Sequence, residues 1–348
     1  MVLFLLRRLA FMILTALCLT FIVFALTNLP PNLEKLAKTQ GNSRMADAEV
    51  TSWLHKRGYD RPMLTKYGEW LGVVPGFTIS DEAGDVTGTC IKRSIDPANA
   101  PKYCGVLQGD WGTSTVFRDD VSTIIGTRLA LTGKLMFWVL VVMIPSALIL
   151  GVIAGMKEGS KTDRTLSSIA ITTTATPEYV SGVILIAVFA SSAVGLKWFT
   201  GTATKAMDDA TFRNFFLPVV TIALYGMGYI ARMTRASMAE VMTAQYIRTA
   251  RLKGVKFRDI VIRHALRNAL IAPFTVIMLQ IPWLLNGVVI VETLFNYKGF
   301  GWALVQAAGN NDISLLLGVS VVSVVVVLLT QLISDIGYVY LNPRIRVS

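Results

Sequence analysis

Residues Glu240–Leu270, EVMTAQYIRTARLKGVKFRDIVIRHALRNAL, form a basic, mostly polar stretch lodged between two long apolar runs. The stretch is too charged to enter a bilayer and too regular to be slack. Ala244, Ile247, Ala250 and Leu252 approximate helical spacing, Gly254 stops that helix, and Ile260, Val261, Ala265 and Leu266 restart the pattern. This predicts a short helix, a glycine turn and a second helix along the inner membrane face, with the first helix presented to a partner.

Outward from this stretch the chain is apolar. Hydrophobic residues make up 53% of the 348 and the mean hydropathy is +0.56, values that describe a polytopic membrane protein and not a soluble globule. The net charge of +11 would suit nucleic acid, but no nucleic-acid motif is present and the basic residues flank apolar runs, where they report topology. Nine Lys/Arg against two acids between Arg232 and Arg267 put Glu240–Leu270 in the cytoplasm.

Six apolar runs predict an all-α fold of six transmembrane helices: residues 9–29 and about 135–156, 166–190, 215–236, 272–291 and 315–338. The first run follows Arg7-Arg8, is longer than a signal-peptide core and ends at Leu29-Pro30-Pro31 without a small-x-small cleavage site. It reads as a retained span, with both chain ends inside. The chain then divides into residues 1–29, an extracytoplasmic domain at 30–130 and a core of five further spans at 131–348. The domain balances 12 Lys/Arg against 12 Asp/Glu from Pro30 to Arg128 and holds Cys90 and Cys104. Whether these two cysteines are bridged is left open, because sequence does not give a Cα separation. Cys18, inside the first run, reads as a small core residue.

Three polar residues within the runs are candidates for a translocation path. Glu178 follows Pro177 in the third; an intramembrane carboxylate is a functional candidate, but a helix break at the proline would equally let it serve the second half locally. Gln280 and Asn286 flank Pro282 in the fifth, where pore lining and interhelical hydrogen bonding are both open. Gly151 and Gly155 form a small-xxx-small pair that favours close helix approach. Catalytic and metal patterns are missing. Gly126…Gly133-Lys134-Leu135 has the wrong spacing for a phosphate loop and no Ser/Thr after the lysine. The two histidines and three cysteines show no zinc-ligand spacing, with His55 read as an exposed loop residue. No Ser-His-Asp arrangement stands out, and a proton-driven carrier would bury more ionisable groups than Glu178 alone. The chain therefore reads as a non-enzyme with no cofactor or metal of its own.

Tyr246, Arg248, Thr249, Ala250, Lys253, Gly254, Arg263, His264, Ala265, Leu266, Arg267 and Asn268 fit the pattern Y-x-R-T-A-x-x-K-G…R-H-A-L-R-N. The segment thereby resembles the cytoplasmic EAA loop of ABC importer permease subunits, in the version found in dipeptide and oligopeptide permeases. Tyr59-Asp60-Arg61-Pro62 with Tyr67 and Trp70-Leu71, then Gly109–Ser114, resemble the same family, as does Val291–Gly301, with Lys298 where proline is usual. Asp312 and the ending Asn342-Pro343-Arg344 also fit, the asparagine being a departure. The first two patches are set apart by residues 72–108, which read as an insertion: a tolerated surface excursion or an added dock for a binding protein.

The resemblance implies a type I ABC importer permease in the bacterial inner membrane. It implies four kinds of partner: membrane lipid, a second homologous permease subunit, two ABC ATPase subunits carrying ATP and Mg, and a periplasmic solute-binding protein. ATPase coupling would fall to Tyr246, Arg248, Thr249, Ala250, Arg251, Lys253, Gly254, His264, Arg267 and Asn268, with Ala250 small so that the partner can approach. Peptides lead as substrate, with nickel chelates, glutathione and oligosaccharides open; a stand-alone secondary transporter or channel is the alternative.

Overall fold

The computed structural model describes residues 2–80, 86–91, 99–192 and 196–341, apart from the side chains of residues 2–5, 285–286 and 338–341. The ending from Asn342 lies outside the described residues. The helices are α1 (Val2–Thr27), α2 (Pro30–Gln40), α3 (Asp47–Lys56), α4 (Met63–Leu71), α5 (Val121–Met156), α6 (Lys161–Ala175), α7 (Glu178–Phe189) and α8 (Phe212–Met242). They continue as α9 (Gln245–Leu252), α10 (Phe257–Asp259), α11 (Leu266–Ala269), α12 (Ile271–Leu294), α13 (Phe300–Gly309) and α14 (Ile313–Leu341). One antiparallel pair, β1 (Thr78–Ser80) and β2 (Val86–Gly88), is in register Thr78↔Gly88.

The helices α1, α5, α8 and α14 are each long and apolar enough to cross a membrane, and two bent pairs bring the total to six. The protein is an all-α polytopic membrane protein. The third predicted run is not one rod: α6 and α7 diverge by 108°. Proline at 177 supplies no N–H and disfavours helical backbone before it, so Thr176 turns extended at φ −88°, ψ 120°. The second bent pair breaks by 49° between α11 and α12.

Contacts divide the chain into two compact units. The larger contains Leu129–Trp302 and the described chain from Val327 on. Its core is built on α5, where Leu135, Val139, Met143 and Ala147, each four residues apart, are fully buried on one stripe, while Phe137, Trp138 and Ile149 on other faces are exposed. A helix apolar all round suits lipid on one side and protein on the other. Of the four single-helix crossings, α8 is the most enclosed. Gly151 and Gly155 of α5 let the two backbones meet: a Cβ on Gly151 would stand 2.6 Å from the Ala231 carbonyl, and one on Gly155 2.7 Å from that of Arg235.

The smaller unit contains Leu5–Arg128 and Ala303–Val326. Phe24 of α1, Leu33 and Leu36 of α2, Trp53 of α3 and Leu317 of α14 form its core. Cys18 does not join it. The residue is exposed on α1, since an apolar crossing helix presents part of its circumference outward. His55 likewise stands in α3, not in a loop, and pairs with Asp60 at 2.6 Å.

Candidate functional site

The Glu240–Leu270 stretch folds as a helix, a turn, and a second segment. In α9, Ile247 and Ala250 point inward onto Met238, Ile260, Val261, Ala265 and Ala269. Gly254 adopts φ +76°, and a Cβ there would meet nothing within 4 Å, so its requirement is conformational and not steric. Past it, Ile260 and Ala265 are five residues apart, too far to share a face of a regular helix; a π turn over Ile260–Ala265 keeps both buried. Tyr246 and Asn268 meet across the segment, the Asn268 amide donating to the tyrosine oxygen at 3.0 Å.

The exposed face of α9 carries Tyr246, Arg248, Thr249 and Arg251, and Lys253, Gly254, His264, Arg267 and Asn268 are exposed beside it. Two sequence expectations change. Leu252 is 82% exposed because five residues from Ile247 is about 140° around a helix. Ala250 is buried against its own chain, so its small size serves internal packing.

This segment is tied to the crossings. Met156 and Val152 of α5 and Val241 of α8 pack against the same cluster, and the Ser237 hydroxyl donates to the Ala269 carbonyl at 2.9 Å. Just ahead of the apolar run that begins at Leu166, Asp163 accepts two bonds from Arg235 of α8, from Nε at 3.0 Å and Nη2 at 2.8 Å. It also accepts from the Gly159 N–H at 2.9 Å and the Ser167 hydroxyl at 3.1 Å. The Arg235 guanidinium holds the Asp163 carboxyl well below the usual carboxylate range, although burial pushes the other way. The Asp-Arg dipeptide at 163–164 is visible in the sequence; its partner 72 residues on is not.

In the crossings, Glu178 begins α7, buried, with Gly287 of α12 against it: a Cβ there would stand 2.8 Å from Oε1. Gln280 is buried in α12; the Asn286 side chain lies outside those described. Along α6, Arg164, Thr165, Ser168, Ile169, Thr172 and Thr173 line a recess of about 480 Å³. A further buried acid was not singled out in the sequence: Glu292, quoted there only within the Val291–Gly301 resemblance, is fully buried and accepts from the Thr132 hydroxyl and from the Trp302 N–H at 2.9 Å. Only the fold brings Thr132 to it.

In the smaller unit a cavity of about 240 Å³ joins the two resembling patches: Tyr59, Arg61 and Trp70 line it with Asp110, Trp111 and Gly112. Arg61 pairs with Glu69 through both guanidinium ends, and burial pushes the Lys66 ammonium below its ordinary pKa. Residues 72–108 leave and return at one place: a Cβ on Gly105 would stand 2.6 Å from the Gly72 nitrogen, and the Gln108 amide donates to the Gly72 carbonyl at 3.0 Å. Cys90 and Cys104 are disulfide-bonded, with Cα atoms 5.5 Å apart. Asp312 caps α14 through the Leu315 N–H and also accepts from the Ser114 hydroxyl at 2.5 Å.

Comparison with known proteins agrees with this architecture. Residues 147–347 match the family described as "binding-protein-dependent transport system inner membrane component". The chain is 33% identical to the dipeptide transport system permease protein DppB of Haemophilus influenzae over 70% of this chain and 79% of that one. It is 29% identical to the di/tripeptide transport system permease protein DppB of Pseudomonas aeruginosa over 99% and 98%. With the oligopeptide transport system permease protein OppB of Mycobacterium tuberculosis it shares 28% identity over 98% of each. With six potential crossings and a family match over more than half its length, this chain belongs to the inner membrane components of binding-protein-dependent transport systems.

Proposed function

We propose that this chain is one permease subunit of an ATP-driven importer of di- and oligopeptides. A second homologous permease completes the translocation path, two ATPase subunits bind ATP and Mg on the cytoplasmic side, and a solute-binding protein delivers from outside. Both chain ends and Glu240–Leu270 face the cytosol, and residues 30–130 face out. The relatives named for peptide transport along nearly the whole chain support the substrate class.

One observation carries the mechanism. The helix α9 is anchored by Ile247 and Ala250 to the ends of α5 and α8 while its other face, with Arg248, Arg251 and Leu252, is exposed and basic. A motor gripping that face moves α8 directly through the Met238 contact, and the packed crossings convert the motion into alternating access. The Asp163–Arg235 pair passes it on to α6. The polar face of α6, with hydroxyls at Thr165, Ser168 and Thr172, supports a wetted half-path that a second subunit closes.

The test is purification of the tagged chain from its native membrane, followed by uptake in proteoliposomes. Co-purifying ATPases and ATP-dependent peptide uptake are the expected outcome; a chain that isolates alone and transports without ATP would refute it.

A further inference from the structure

Glu178 differs from the other buried acids. Among the described residues Glu69 is paired with Arg61, Asp163 with Arg235, Glu292 with Thr132 and the Trp302 N–H, and Asp312 with Ser114. Glu178 is 9% exposed, and its Oε1 is buried without a hydrogen-bond partner among the described residues. Buried carboxylate oxygens are ordinarily satisfied, so an orphan is a candidate for a group that arrives from elsewhere. It stands at the corner where α6 and α7 diverge by 108°, with Pro177 and Tyr179 exposed on either side. Its position at the first turn of the twelve-residue α7 favours negative charge. Gly287, on the facing helix, lets the carboxylate pack close: a Cβ there would stand 2.8 Å from Oε1.

We propose that Glu178 is a binding group for the ammonium end of the transported solute, which for a peptide is its free amino terminus. The assignment rests on the importer reading above. An ammonium carries three N–H donors and a positive charge, matching an acceptor oxygen that has no partner among the described residues.

Two measurements on the assembled complex test this. In the first, proteoliposome uptake of a tripeptide is compared for wild type, Glu178→Gln and Glu178→Asp. An at least tenfold loss for Gln, with Asp restoring most of it and all three assembling equally, is expected. Uptake by the Gln variant within twofold of wild type, or loss of assembly in both variants, would overturn the assignment. In the second, a carbodiimide with glycine ethyl ester labels reachable carboxyls, read by mass spectrometry. Labelling of Glu178 that the tripeptide blocks and its N-acetylated form does not is expected; no labelling, or equal blocking by both, would overturn it. Failure of the importer reading shows separately, as wild-type complex without ATP-dependent uptake.

Discussion

Breaking the Asp163–Arg235 pair tests whether the turn between α5 and α6 is mechanically joined to α8. The pair has two charge-assisted bonds at 3.0 and 2.8 Å, and its Asp163 side chain is only 5% exposed. Bonds to charged groups contribute about 1.5–3 kcal/mol each, while an exposed ion pair contributes about 0–1 kcal/mol. Arg235 is 32% exposed, and Glu158 lies 3.7 Å from it, so water and the second acid replace part of the loss. A double-mutant cycle of Asp163→Ala and Arg235→Ala is therefore expected to give a coupling of about 2–3 kcal/mol. The assay is unfolding of the purified protein in mixed micelles by titrated SDS. Because the folded carboxyl titrates below the ordinary value, the coupling is full above the free-Asp pKa of about 3.9 and is lost as pH falls through the folded value. It is flat from about pH 5 to 8 on that reasoning. A coupling under about 0.5 kcal/mol, or one that changes steeply in that window, would refute the argument.

Gly254 is predicted to be limited by backbone and not by space: Gly254→Val strains a φ of +76° by about 1–2 kcal/mol and abolishes ATP-coupled uptake, whereas Gly254→Asn retains it. Uptake assays with matched membrane levels distinguish the two. Gly155→Ala forces a Cβ to 2.6 Å from the Met238 Cβ and is expected to cost about 1–3 kcal/mol, while Gly126→Ala, in open space, is near neutral by the same SDS titration. Removing residues 73–104, whose flanking glycines already touch, is expected to leave membrane insertion and assembly intact; failure to assemble would show that the excursion holds the smaller unit together. Cys90 and Cys104 should accept a maleimide polymer only after reduction, as judged by gel shift.

What the sequence determined alone follows from short-range periodicity and charge. Apolar runs of membrane length, the Gly254 stop and the basic bias of Glu240–Leu270 are each local, and they suffice for an all-α membrane protein with a helix–turn–helix segment between crossings. Tertiary structure decided which way residues face and what they meet. Leu252 left the buried face that Ile247 and Ala250 share because it stands about 140° around α9 from Ile247. Pro177 was visible as a breaker, but the 108° angle that isolates Glu178 depends on how α6 and α7 pack on α8 and α12. Asp163 with Arg235, Thr132 with Glu292 and Ser114 with Asp312 lie 72, 160 and 198 residues apart. Such pairings are set by helix packing and carry no signature in local spacing, so only the folded chain reveals which partners satisfy the buried acids and that, among the described residues, Glu178 Oε1 has none.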